Sequence, residues 1–188
     1  MNVKSQHRRN YNEAGHAHEL TFSCYHGYPF LKADRTCQWL ADSINAARVE
    51  LDFDLWAFVF MPNHVHLVIR PRQSVYDMAK IRYAIKHPTS KLALAWLRVN
   101  APQWLPRLTR TRGKRIETSF WQSGGGYDRN IVKEKTLLEM IDYIHLNPVR
   151  KRLVAQAIEW HWSSAGQYLG EQSCPLRVDS IPPEWLEM

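Results

Sequence analysis

Two apolar runs stand almost end to end in this chain. Phe53 to Phe60 (FDLWAFVF) and His64 to Arg70 (HVHLVIR) are separated only by Met61-Pro62-Asn63, and Pro71 closes the second run. Both have the aromatic and β-branched content of strands. A parallel pair would need a crossover of a dozen or more residues, so this short connection dictates an antiparallel hairpin. Such a hairpin needs further strands and cover on its faces to be stable in water.

The rest of the chain supplies them. His18 to Tyr25 places Leu20, Phe22 and Cys24 on one face and reads as a strand. Asp34 can cap a helix over Thr36 to Val49, with Leu40, Ile44 and Ala47 on its inner side. Ser74 can cap a helix to about Lys86; His87-Pro88 interrupts it, and Lys91 to Val99 follows as a separate helical stretch. Asn100 to Lys114 reads as a loop. Glu117 to Gln122 is expected as the fourth strand, extended by Tyr127 to Ile131 beyond the flexible Gly124-Gly125-Gly126. Glu134 to Asn147 is the last clear helix. The order strand, helix, two strands, helix, strand is that of a split βαβ arrangement, an α+β fold with an antiparallel sheet and helices on one face.

Composition narrows the partners. The chain has 188 residues, 45% of them hydrophobic, with eight Trp, enough for one domain with a real core. Most of the Trp are expected in that core. The net charge of +7 favours a polyanion, either nucleic acid or an acidic membrane surface. The longest apolar run, Leu55 to Pro62, is too short to cross a bilayer, and the N-terminus lacks the apolar stretch of a signal peptide. Cys24, Cys37 and Cys174 form neither a disulfide framework nor a zinc pattern, and are expected as reduced thiols of a cytoplasmic protein. The cations cluster: Arg8 and Arg9 on a polar arm over residues 1–17; Arg107, Arg110, Arg112, Lys114 and Arg115 in one loop; Arg150 and Lys151 after the last helix. These are candidate phosphate contacts, with Trp104, Phe120, Trp121 and Tyr127 nearby as rings on which bases could stack. The glycine triplet lacks the Lys-Ser/Thr of a phosphate-binding loop.

Two features carry possible chemistry. In a strand, His64 and His66 project to the same face, where two imidazoles can hold one divalent ion. They can equally be two sheet histidines, each of which then needs a partner. His16-Ala17-His18 repeats the spacing without an apolar frame and reads as a solvated segment. On the last helix Leu137, Leu138, Ile141 and Ile144 form the apolar stripe. Tyr143 lies about 200° around the helix from Ile141, on a face with Glu139 and Asn147. It is either an amphipathic residue at the core edge or a tyrosine offered to a site, with Asn147 beside it as an oxygen ligand.

WAFVFMPNHVHLVIRP (residues 56–71) and FWQSGGGYDRNIVKEKTLLEMIDYIHLNPVRKRLV (residues 120–154) together resemble the single-tyrosine HUH transposases, in particular the REP-associated branch. The likeness runs from about His18 to Leu169 and includes EWHWSSAGQYL. It implies a ferredoxin-like fold with the histidine pair on a central strand, plus a C-terminal helix carrying the tyrosine. It implies an HUH catalytic domain over residues 18–154, with residues 155–188 as a tail that packs on it or extends it. His64 and His66 match the pair that binds Mg²⁺ or Mn²⁺, Tyr143 matches the nucleophile, and Asn147 matches the position of a polar third ligand. The implied reaction cuts and rejoins single-stranded DNA of hairpin or palindromic type through a covalent 5′-phosphotyrosine, by a monomer or a homodimer. The glycine triplet departs from the single glycine common in relatives and is expected to loosen a DNA-facing segment. A domesticated, non-catalytic single-strand-binding protein is the alternative.

Overall fold

The computed structural model describes residues 12–113, 115–124, 126–170, 174 and 176–187, and of Arg112 only the backbone. The hairpin is present. β2 (Phe53–Met61) and β3 (His64–Pro71) pair antiparallel from Phe53 opposite Pro71 to Met61 opposite His64. A bulge between Leu55 and Ala57 directs both Trp56 and Ala57 to the same face. β3 pairs on its other side with β1 (Ala17–Ser23), and β1 pairs with β6 (Tyr127–Ile131). The order β2-β3-β1-β6, antiparallel throughout, is the ferredoxin-like sheet that was expected.

The two faces are covered differently. Leu20, Phe22, Phe58, Phe60, Val65, Leu67 and Ile69 pack beneath α1 (Asp34–Leu51) and α2 (Met78–Asn100). Trp56, Ala57, Val59, Met61 and Val68 face the opposite way. There Leu137, Ile141 and Ile144 of α4 (Glu134–His145) close a smaller core. Leu138, assigned to the apolar stripe, is 40% exposed. The chain after residue 154 folds back on the sheet: the Trp185 ring lies 5.1 Å from Trp56, and Trp160 Nε1 donates to the Phe60 carbonyl.

Several sequence expectations are corrected. α2 runs unbroken through Pro88, because Pro88 lies on its exposed side while Ile81, Ile85, Thr89, Ala93 and Leu97 bury the other. Thr89 Oγ1 also ties the helix to Ser43 of α1 at 3.1 Å. Asp77, not Ser74, caps it, accepting from the Ala79 amide at 2.7 Å. Residues 100–114 are not simply a loop. They hold a short α3 (Leu105–Leu108) and β4 (Thr109–Arg112), which pairs only with β5 (Arg115–Thr118) as a separate ribbon. The fourth strand of the main sheet is therefore β6 alone. α4 stops at His145, and Asn147 opens a single turn, α5 (Asn147–Arg150). Pro148 has no amide hydrogen with which to continue the α4 ladder.

The first HxH segment is not solvated either. His18 is fully buried, with Nδ1 2.9 Å from Asp128 and Nε2 2.8 Å from the Tyr76 hydroxyl. Trp56, Trp121, Trp162 and Trp185 are buried, and Trp39, Trp96, Trp104 and Trp160 are packed against the cores, as their composition led one to expect. Among the described residues no helix is long and apolar enough to cross a membrane.

Two contacts set up tests. At Gly126 φ is +72°, and a Cβ there would lie 2.1 Å from the Thr21 carbonyl oxygen. The chain can enter β6 only through a glycine at this point. Gly126→Ala should cost about 2–4 kcal/mol in chemical denaturation. At the end of α4, His145 is buried against Tyr168, its Nε2 2.7 Å from Ser164 Oγ, and Ser164 Oγ accepts from the Phe58 amide. Burial holds the His145 imidazole down at about 4. The unfolded chain then binds this proton first, so the contribution is complete above about pH 6.5 and is lost as pH falls toward 4. Its upper bound is about 3 kcal/mol, and His145→Gln should flatten the melting-temperature profile across that window.

Candidate active site

β3 is a central strand, so its alternate residues divide between two enclosed faces. His64 and His66 project with Val68 toward α4, while Val65 and Leu67 enter the larger core. The imidazole centroids lie 5.0 Å apart, close enough for one ion to lie between them. Each ring is held through Nδ1. His64 Nδ1 lies 2.7 Å from Asn63 Oδ1, in the turn just before the strand. His66 Nδ1 lies 2.8 Å from Thr21 Oγ1 on β1, and Thr21 in turn donates to Glu19 Oε1 at 3.5 Å. Glu19 Oε1 is also 3.6 Å from His66 Nδ1. With Thr21 donating to Glu19, its oxygen accepts from His66 Nδ1–H. Both histidines then carry their proton on Nδ1 and offer a bare Nε2, the arrangement typical of metal-binding imidazoles.

The break after α4 brings Asn147 to this point. It is 5% exposed, and its side-chain nitrogen lies 3.1 Å from His66 Nε2. One turn earlier, Tyr143 is 45% exposed, with its ring centroid 6.0 Å from that of His66. The Arg150 guanidinium sits 4.8 Å above the tyrosine ring and donates to the Tyr143 carbonyl at 3.2 Å. His64 is pushed down to about 4, first by burial and then by the second imidazole and the Lys151 charge near it. It is therefore neutral near pH 7. Among the described residues no group of three or more His, Cys, Asp and Glu side chains is placed to hold an ion. The donor set is two imidazoles and a carboxamide.

The expected residues thus separate. His64, His66, Tyr143 and Asn147 converge, and Arg150 and Lys151 border them. Arg107 lies over Trp104, Arg110 pairs with Glu117, and Arg115 is exposed, all on or beside the β4–β5 ribbon. Arg8, Arg9 and Lys114 lie outside the described residues, as does the Arg112 side chain. Of the proposed stacking rings, Phe120 and Trp121 are core residues and Trp104 is packed on the core; only Tyr127 is open, at 42% exposure. Glu19 and Thr21 were not anticipated. Alternation in β1 puts them opposite Leu20 and Phe22, but only the β1–β3 register sets Thr21 opposite His66.

No family model matches the chain. A Haemophilus influenzae protein, provisionally described as a REP-associated tyrosine transposase, is 25% identical over 192 residues, spanning 96% of this chain and 93% of that relative. A solved structure of a REP-associated tyrosine transposase bound to a REP hairpin superposes with a TM-score of 0.69 at 20% identity. It covers 94% of this chain and 92% of that one, and shows that the fold is shared. A Deinococcus radiodurans structure, provisionally described as a transposase, has a TM-score of 0.44 at 17% identity, over 73% of this chain and 95% of its own. The resemblance carried by MPNHVH and YIHLNPVR therefore extends over nearly the whole length: in sequence and in fold, this chain is similar to the REP-associated tyrosine transposases.

Proposed function

We propose that this protein is a metal-dependent single-stranded DNA endonuclease and strand transferase that acts on hairpin or palindromic DNA through a covalent bond to Tyr143. The observation that carries this reading is the meeting of Tyr143 from α4 with His64, His66 and Asn147 at one end of the sheet. The likeness to REP-associated transposases, one of which is bound to a REP hairpin, supports the same substrate class.

Two imidazoles and a carboxamide oxygen could hold one divalent ion; the family likeness implies Mg²⁺ or Mn²⁺, and Mn²⁺ is the better match to imidazole nitrogen. His64 and His66 would bind through Nε2, and a half-turn of the Asn147 carboxamide would present its oxygen, leaving positions for phosphate oxygens. Such an ion would supply Lewis-acid polarisation of the scissile phosphate and a fixed point for its oxygens. The protein's own residues do the rest. Tyr143 Oη attacks phosphorus, the bond to the 3′ oxygen breaks, and the 5′ phosphate remains on the tyrosine. The phenolic proton ends on the departing 3′ oxygen. Attack by a 3′ hydroxyl on the phosphotyrosine reverses the step, and the retained ester bond makes rejoining independent of ATP. Arg150, with its guanidinium 4.8 Å from the Tyr143 ring, would favour the developing phenolate and an approaching phosphate through its charge. Lys151, exposed and next in sequence to Arg150, would add a second backbone contact.

With labelled pools of randomised single-stranded hairpins and Mn²⁺, wild-type protein should give a slow-migrating covalent band on a denaturing gel. Tyr143→Phe should abolish the band while DNA binding persists, and chelation should suppress it. A band from Tyr143→Phe overturns the assignment; binding without any wild-type band replaces it with a non-catalytic single-strand binder. Thr21→Val removes the hydroxyl that orients His66 at little change in volume. It should weaken Mn²⁺ binding about tenfold by calorimetric titration and, by taking the partner from His66 Nδ1–H, should destabilise the ion-free protein by about 1–3 kcal/mol.

A further inference from the structure

On the opposite face of the sheet, α2 and the segment before β6 enclose an open cleft of about 440 Å³. Arg82, Tyr83, Lys86, His87, Ser90 and Gly124 line it. The two cations are in different situations. Arg82 is paired with Asp128 at 2.7 Å, and that carboxylate is also engaged by His18. Lys86 has no carboxylate partner among the described residues. Among the described residues its ammonium reaches the Gly124 carbonyl, at 3.4 Å, and the face of Phe22, at 5.4 Å. Burial, with Arg82 adding to it, holds its pKa down at about 8. A half-buried ammonium without a counter-ion is costly, and an anion in the cleft would offset that cost.

Beside it lies an aromatic platform. Tyr83 is 64% exposed and stacks on His87, one turn on, with centroids 4.8 Å apart and planes 15° from parallel. The other face of the tyrosine ring is open to a flat partner. Gly124, at φ +98°, has open space where a side chain would stand, and leaves the rim unobstructed. The cleft and the tyrosine site lie on opposite faces of the sheet; from His66 on β3 the way round its open edge passes over β1 and then the edge strand β6, whose Tyr127 and Arg129 are exposed on the His66 side.

We propose that the Lys86–Tyr83 cleft is a second nucleic-acid site, taking one backbone phosphate on Lys86 and one stacked base on Tyr83 from a single strand that crosses β6 from the tyrosine site. This rests on the reading of a single-stranded DNA substrate, and extends it to the far face of the sheet.

The test is binding of fluorescein-labelled oligothymidylate across a series of salt concentrations. Lys86→Gln should weaken binding and lower the slope of log affinity against log salt by about 0.7, the value for one phosphate contact on a single strand. Lys80→Gln removes an exposed charge from the same helix and should leave the slope unchanged. Lys86→Arg should restore it. Tyr83→Ala should weaken binding about tenfold at constant slope, because stacking releases no ions. It should have no effect on an abasic strand. Equal behaviour of Lys86→Gln and Lys80→Gln, with both folded by thermal melting, overturns the site, as does a Tyr83→Ala effect that persists on the abasic strand. Failure of the wild type to bind oligothymidylate overturns it too. The covalent band at Tyr143 is read separately. A wild type that binds with the expected Lys86 dependence but forms no band loses the strand-transfer reading and keeps this one.

Discussion

The double pairing of β3 is the constraint on which the rest of the structure depends. A strand with neighbours on both sides has every backbone group engaged, and its side chains must alternate between two covered faces. Val65, Leu67 and Ile69 go into the larger core, so His64 and His66 are forced into the face closed by α4. Two imidazoles placed there need partners. β1 answers for His66 with Thr21 and Glu19, and the turn answers for His64 with Asn63. The same hydrogen bonds that make the polar pair tolerable also fix which nitrogen of each ring is bare.

The second requirement is that α4 stop in the right place. Leu137, Ile141 and Ile144 seat the helix on the sheet, and His145 locks its end to Ser164 and thereby to β2. Pro148 breaks the ladder, and Asn147 turns inward to His66 while Tyr143 stays half open to solvent. The two residues lie four apart, on one face, and the docking of that face against β3 delivers two different chemistries to one point.

Charge is divided between the fold and the surface. Several basic residues are already paired within the fold: Arg82 with Asp128, Arg110 with Glu117, Arg48 with Asp179. Arg150, Lys151, Arg129 and Lys86 have no carboxylate partner among the described residues, and they lie around the tyrosine site, on the edge strand and in the cleft behind it. Net charge alone points to a polyanion; the pairing pattern says which part of the surface would meet it.

The hairpin and the shared face of His64 and His66 were legible in the sequence, because they follow from a three-residue connection and a period of two; the succession of elements read as split βαβ, and the ferredoxin-like fold was what the family likeness implied. The role expected of Tyr143 came from the likeness of YIHLNPVR to relatives. Its rotation about the helix said only that it faces away from the core stripe. Other points were beyond local pattern. Pro88 reads as a break, yet α2 passes through it, since burial of one helix face outweighs a missing hydrogen bond on the other. His18 reads as solvated, yet Asp128, 110 residues away, makes its burial tolerable. Tyr127 to Ile131 reads as a continuation of an earlier strand, yet Gly126 turns it into a separate edge beside β1. The sequence by itself determined which residues alternate along the strands and which helix stripe is apolar. The tertiary structure decided the strand register and the docking of α4, and so which groups meet across the sheet, because contacts between distant segments depend on the packing of the whole domain.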